Sequence, residues 1–197
     1  MSGGKTIWKY LLRSLGVVIF IALLALLAAS LILAKPQNDK TDITPVRPFA
    51  ESSPAVTIDN ENDLFQLVSG FPAPIMSFLS GSGMTFVSAE SSDIEITGGF
   101  GRMATLYWQT PEGYPMTLRS IWPVSALSLL EDGFHFMPVS GPSLFSNTSV
   151  RMENDDYIRL HVTTDQALYV VLLPRALNGQ ISDLCRSLQL FTANSKD

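Results

Sequence analysis

Two histidines and one cysteine are the residues of this chain with the widest chemical repertoire. His135 and His161 fall on separate predicted strands, and Cys185 falls on the apolar stripe of a predicted helix. A zinc site needs three or four nitrogen, sulfur or carboxylate ligands at close spacing, which this set does not supply. A cysteine on an apolar stripe behaves as a small hydrophobic residue. His161 shares a strand face with Arg159, which indicates a solvated face.

Three further motifs suggest chemistry but lack the context that the chemistry requires. Residues 99–104 (GFGRMA) match the G-x-G-x-x-A pattern of dinucleotide sites, but a strand-like segment follows instead of a helix. Residues 80–83 (SGSG) do not form the G-x-S-x-G nucleophile elbow. Residues 153–156 (ENDD) lack the spacing of a calcium loop. The sequence predicts no catalytic residue, no metal site and no cofactor, so we expect a protein that is not an enzyme.

Composition and charge exclude further classes of protein. Only 16% of the 197 residues are charged, against about 25% in ordinary domains, and the mean hydropathy is +0.22. Intrinsic disorder is therefore a poor interpretation. Residues 36–197 carry a net charge of −9 within a chain total of −5. An acidic domain is repelled by nucleic acid and by anionic lipid, so we expect no nucleic-acid partner.

The apolar excess is concentrated in residues 14–34, which contain no charge. Because about 20 apolar residues span a bilayer as a helix, this segment predicts a transmembrane helix. The residues assigned to the anchor are Leu15, Phe20, Leu24, Leu27 and Leu31. The alternative is a cleaved signal peptide, whose apolar core usually covers about 7–15 residues, with residues 28–30 (AAS) as the cleavage site.

The charges that flank the helix predict its orientation. Lys5, Lys9 and Arg13 precede it, whereas Lys35 and Lys40 follow it together with two aspartates. The excess of basic residues on the N-terminal side favours a cytoplasmic N-terminus. We therefore expect a single-pass protein of the cell membrane. Its organisation is a cytoplasmic tail (1–13), a transmembrane helix (14–34), a proline-rich linker (35–54) and an extracytoplasmic domain (55–197).

Hydrophobic periodicity in residues 55–197 predicts an α+β fold: an antiparallel sheet of about six to eight strands with helices on one side. Helices are predicted near residues 60–68, 74–79, 124–130 and 180–191. The turn Thr-Pro-Glu-Gly at 110–113 predicts a hairpin of residues 102–109 and 115–121. Other strands are predicted at 84–89, 94–97, 134–139, 150–153, 157–162 and 167–173.

Aromatic residues are abundant around the predicted hairpin, and an excess of aromatics can leave an exposed binding surface. The candidate interaction surface is Phe100, Tyr107, Trp108, Tyr114 and Trp122.

Residues 106–120 (LYWQTPEGYPMTLRS) and 167–191 (ALYVVLLPRALNGQISDLCRSLQLF) resemble a domain of unknown function. That domain is attached to some membrane-anchored bacterial anti-sigma-factor-like proteins and is often likened to lipoprotein-carrier folds. The resemblance covers about a third of the chain and implies a bacterial envelope protein. Zinc-type anti-sigma factors carry a cytoplasmic His/Cys domain, and here only about 13 residues precede the predicted helix. Direct sigma-factor capture is therefore not expected, and no functional residue carries over.

We therefore expect a membrane-anchored interaction or regulatory domain that binds the bilayer through its helix and an envelope protein through its outer domain. The alternative is an envelope lipid- or amphiphile-binding protein, with an apolar groove lined by Phe and Met between sheet and helices. A hydrolase is the third interpretation.

Overall fold

The computed structural model describes residues 48–124 and 133–192, which belong to one compact unit, residues 46–197. The predicted cytoplasmic tail, the membrane helix with its five anchor residues and most of the linker lie outside the described residues. So does the helix predicted at 124–130, apart from Val124. In the part of the chain that is described, no helix is long and apolar enough to cross a membrane.

The described residues form ten strands, two short α-helices and two 3-10 turns. The strands are β1 (Val56–Ile58), β2 (Ile75–Phe78), β3 (Thr85–Ile96), β4 (Gly99–Gln109), β5 (Pro115–Trp122), β6 (His135–Leu144), β7 (Asn147–Glu153), β8 (Tyr157–Thr163), β9 (Leu168–Pro174) and β10 (Leu188–Phe191). The helices are α1 (Leu64–Ser69) and α2 (Ile181–Arg186), and the 3-10 turns are Glu61–Asp63 and Arg175–Gln180.

Eight strands form one antiparallel sheet in the order β1-β3-β4-β5-β9-β8-β7-β6, and β2 pairs with β10 in a second, two-stranded sheet. The predicted antiparallel sheet is thus confirmed, at the upper end of the expected strand number. Two meanders, β3–β4–β5 and β6–β7–β8–β9, meet where β5 pairs with β9. The α+β class fits, although the sheets dominate and the described helices are only six residues long.

The predicted hairpin is confirmed as β4–β5, in which Trp108 lies opposite Met116. Its turn is closed by the Thr110 N–H, which donates to the Tyr114 carbonyl over 2.9 Å. Gly113 has a φ of 87°, a backbone conformation that residues other than glycine rarely adopt. The local turn chemistry therefore explains the predicted connection.

Three other segments differ from the prediction. Residues 74–79, expected to be a helical turn, contain strand β2, and residues 180–191 contain α2 followed by strand β10 instead of one helix. Because β2 and β10 pair with each other, their backbone hydrogen bonds come from a partner far away in the chain, which local periodicity does not reveal. The strands expected at 84–89 and 94–97 are parts of the single strand β3.

The main hydrophobic core lies on one face of the eight-stranded sheet. Leu67 of α1 and Ile181 of α2 join the same buried cluster, so both described helices pack on this face. The two-stranded sheet is tied to the core by the backbone N–H of Met76, which donates to Ser120 Oγ over 2.9 Å. Tyr169, fully buried, donates its hydroxyl to the Pro74 carbonyl. These contacts fix β2 and α1 against the sheet.

The end of the predicted linker is attached to the sheet, which moves the domain boundary toward the N-terminus. Phe49 forms an antiparallel bridge with Phe100 at the start of β4. Arg102 pairs with Asp93 over 2.9 Å and donates to Ser53 Oγ, while the Ser53 backbone N–H donates to Asp93. Because residues of β3 and β4 bind residues 49–53, the folded domain begins before residue 55.

Candidate functional site

The structure separates the five aromatic residues of the predicted interaction surface. Tyr114 is 40% exposed at the β4–β5 turn, and Phe100 and Tyr107 are half-buried. Trp108 and Trp122 are buried in the core. The predicted surface is therefore wrong for the two tryptophans, which cannot meet a partner while the domain is folded.

Distant aromatic residues bury both tryptophans. Phe78 and Phe86 contact Trp108 edge-on, with ring centroids 5.4 and 5.3 Å away. Phe49, from the predicted linker, packs on Trp122 with ring centroids 4.9 Å apart. The strand pairing also divides the set, because Tyr107 and Trp108 are neighbours on β4 and point to opposite faces.

The face predicted to be solvated is also buried. Arg159 and His161 of β8 are 8% and 6% exposed, and the Arg159 guanidinium stacks 4.1 Å from the centre of the Phe134 ring. Burial and then the Arg159 charge lower the pKa of His161 to about 4. His161 is therefore a neutral imidazole held within the sheet, whereas His135 is exposed on β6.

The remaining candidates for chemistry do not form a reactive group. Burial raises the pKa of Cys185 to about 12, so its reactive thiolate is scarce at neutral pH. Within residues 48–124 and 133–192, no three His, Cys, Asp or Glu side chains come close enough to hold a metal ion. The glycine motif belongs to β4, where Gly99 lies against the backbone of Phe49 and a Cβ would collide with it. Its glycines permit chain packing rather than a phosphate loop.

Exposed apolar residues lie near the β6 edge of the eight-stranded sheet, and we name them the edge surface. Its members are Phe136 (67% exposed), Val139 (58%), Val150 (40%) and Tyr157 (38%). β6 is the last strand of the sheet, and its pairing places Phe136 opposite Met152 and Ser140 opposite Val150. The pairing therefore places Phe136 and Val150 on the same face of the sheet, on neighbouring strands. Contiguous exposed apolar areas mark interaction sites.

One feature of the sequence and one of the structure distinguish β6, the outermost strand of the edge surface. β6 (HFMPVSGPSL) contains no Lys, Arg, Asp or Glu, although exposed edge strands are usually protected by charge. Its pairing with β7 is interrupted twice by register shifts. β6 is therefore an uncharged and irregularly paired edge strand.

A cavity of about 290 Å³ lies between α1, the two-stranded sheet and β4, and we name it the helix cavity. Its described lining is Glu61, Asn62, Leu64, Phe65, Val68, Ile75, Ser77, Phe78, Ser80, Leu106, Phe191 and Thr192. The walls are mostly hydrophobic and include three phenylalanines. Binding pockets for small molecules usually measure about 300–1,000 Å³, so this cavity is just below that range.

Local chemistry positions the helix beside this cavity. The Asn60 side chain accepts a hydrogen bond from the Asn62 N–H over 3.0 Å and caps the 3-10 turn Glu61–Asp63, which leads into α1. The helix buries Leu67 in the core and leaves Phe65 58% exposed. A short helix anchored on one residue therefore presents an aromatic ring at the rim of the cavity.

Comparison of the chain with protein-family models, with curated proteins and with solved structures found no match.

Proposed function

We propose that this chain is a single-pass, membrane-anchored interaction domain of the bacterial cell envelope, and that it acts without catalysis. The observation that carries the proposal is the edge surface, where Phe136 and Val139 expose more than half of their area to solvent. Burying exposed apolar area against a partner contributes about 25 cal/mol per Å². The buried His161 and the high pKa of Cys185 weigh against their use as a general base or a nucleophile.

The partner docks against side chains of the edge surface rather than extending the sheet. A continuous added strand needs a row of free N–H groups, but Pro138 and Pro142 of β6 have none. The register shifts of β6 also break the regular spacing that a paired strand requires. The domain is acidic, with a net charge of −9 over residues 36–197. A partner surface with an apolar centre and a basic rim is complementary to both properties.

The test is a cross-linked capture of the full-length protein from its native membrane, read by mass spectrometry. We expect one stoichiometric envelope protein, cross-linked near β6 and lost in Phe136→Glu. The matched control is Val87→Glu, which places the same charge at a residue that is 50% exposed on β3. Equal capture by both variants, or capture of no protein, would reject the edge surface as the binding site.

The anchor is tested separately. Leu23→Arg with Leu24→Arg should abolish membrane retention, because each charge at the centre of a membrane helix costs about 2.5–3.5 kcal/mol on insertion scales. Unchanged membrane fractionation of the full-length variant would contradict the anchored topology. Recovery of wild-type chain that begins near residue 31 would instead indicate a cleaved signal peptide.

One observation favours the second candidate function, the binding of an amphiphile. The helix cavity lies between helix and sheet, where such a groove is expected, and Phe65, Phe78 and Phe191 line it. No methionine is among its described lining residues. The apolar walls of the helix cavity therefore favour an apolar ligand. The volume and the charge of the cavity limit which ligands fit.

A further inference from the structure

The helix cavity combines apolar walls with one buried hydroxyl that makes no hydrogen bond. Ser77 is 4% exposed, and its Oγ has no hydrogen-bond partner. Leaving a buried polar group unpaired carries a free-energy cost for the folded domain. Ser77 also lies in the cavity wall beside Ile75 and Phe78. A ligand that fills the cavity and carries a hydrogen-bonding group would remove that cost.

The open end of the cavity is acidic. Glu61 and Asn62 are exposed members of the lining, whereas Ile75 and Leu106 are buried. The polar residues therefore mark the mouth and the apolar residues mark the interior. No Lys, Arg or His is among the described lining residues. A carboxylate at the mouth without a nearby cation disfavours an anionic head group.

The volume of the helix cavity limits the ligand to a single alkyl chain. About 290 Å³ is below the usual range for drug-sized ligands, so two acyl chains of one lipid do not fit together. We infer that the helix cavity binds a single alkyl chain whose head group is neutral or cationic and which carries an uncharged hydrogen-bonding group within reach of Ser77. The chain comes either from a free single-chain amphiphile or from one acyl chain of a membrane lipid. This inference is independent of the edge surface.

The probe is monodecanoylglycerol with a photoreactive diazirine in its chain, added to the full-length protein in phosphatidylcholine nanodiscs. We expect saturable labelling within residues 61–80 or at Phe191. Unlabelled monodecanoylglycerol should compete, and decanoate, with the same chain and a negative head, should compete less. In a second arm the diazirine sits in an acyl chain of the nanodisc lipid. The arm that labels the cavity identifies the source of the chain.

Three variants test the site itself. Val68→Trp fills the cavity and should abolish labelling, whereas Val87→Trp adds the same side chain at an exposed residue of β3 and should not. If Val68→Trp fails to fold, Phe65→Ala, at the exposed rim, should still weaken labelling. Ser77→Ala should lower the affinity about two- to tenfold, the worth of one hydrogen bond, and should not lower the stability of the ligand-free domain.

Labelling that is not saturable in either arm, or that persists in both Val68→Trp and Phe65→Ala, would overturn the inference. Equal competition by decanoate would overturn the assignment of the head group. Neither result bears on partner capture at the edge surface, so the two proposals fail separately.

Discussion

We expect acid to destabilise this domain through His161. Its imidazole is 6% exposed on β8, and its Nε2 has no hydrogen-bond partner. Val150 and Val170 lie opposite it on the two neighbouring strands. Burial first, and then the positive charge of Arg159, lower its pKa from 6.5 to about 4. Protonation would place a second charge in this buried environment, so the folded state resists it.

The sign and the size of the effect follow from proton linkage. The unfolded chain binds the proton near pH 6.5, whereas the folded chain binds it only near pH 4. The stabilising contribution is therefore complete above pH 6.5 and is lost as the pH falls toward 4. At about 1.4 kcal/mol per pH unit, this interval corresponds to at most about 3–4 kcal/mol. That is a large share of the roughly 5–15 kcal/mol that stabilises an ordinary domain.

The assay benefits from the presence of only two histidines in the chain. Histidine ring resonances followed by NMR from about pH 8 to pH 4 should show His161 titrating well below the ordinary histidine pKa of 6.5. Urea unfolding measured over the same range should show a smaller loss of stability with acid in His161→Leu than in the wild type. His135→Gln is the matched control and should keep the wild-type dependence.

Two results would refute this reasoning about His161. The first is a titration of its ring near pH 6.5, which would mean that burial and Arg159 do not act as described. The second is an undiminished acid dependence in His161→Leu, which would assign the loss of stability to other groups. A further check is Arg159→Gln, which should raise the pKa of His161 because it removes the neighbouring positive charge.

Two further predictions concern the attachment of the linker and the cysteine. Burial raises the pKa of Asp93, but hydrogen bonds from Ser53 and the Arg102 guanidinium lower it below 3.8 overall. The ionised Asp93 carboxylate therefore stabilises the folded domain above about pH 3.8, and this stabilisation is lost as the pH falls below that value. Asp93→Ala should speed cleavage after Glu51 by a glutamyl endopeptidase, whereas a Glu95→Ala control should not; equal cleavage rates would contradict the attachment. Burial raises the pKa of Cys185 to about 12, so iodoacetamide at about pH 8 should alkylate it only after denaturation, as read by intact mass, and complete modification of the native domain within minutes would disprove its burial.

Local signals predicted the elements whose hydrogen bonds are local. The β4–β5 hairpin depends on the turn at 110–113, Asn60 caps the 3-10 turn that leads into α1, and Gly70 is the C-cap of α1. The alternation of residues 157–162 predicted β8. In each case the residues that determine the conformation lie within a few positions of it, so the sequence pattern is sufficient.

The elements that were missed depend on partners distant in the chain. Residues 188–191 continue the apolar spacing of α2, but they extend as β10 because residues 75–78 offer a complementary edge. The Ser187 hydroxyl bonds to the Leu184 carbonyl over 2.7 Å, which helps to end α2 just before the strand. A short segment adopts the state that its tertiary partner stabilises, whatever its own propensity.

The exposure of the aromatic residues was mispredicted for a related reason. Aromatic abundance indicated Trp108 and Trp122, but aromatic residues are also the largest contributors to a core. Which aromatics remain exposed depends on packing against Phe49, Phe78 and Phe86, none of which neighbours its tryptophan in the sequence.

The strand order relates the attachment of the linker to the proposed docking surface. Residues 49–53 bind β3 and β4, near one edge of the eight-stranded sheet, whereas the edge surface occupies β6, β7 and β8 at the other. Six inter-strand steps separate β3 from β6, and at about 4.8 Å per step the distance is about 29 Å. The edge surface and residues 49–53 therefore involve different strands, of which the nearest, β4 and β8, are three steps apart. Because α1 also packs on β1 and β3, the helix cavity lies toward the linker side of the sheet. The edge surface and the helix cavity therefore involve different strands.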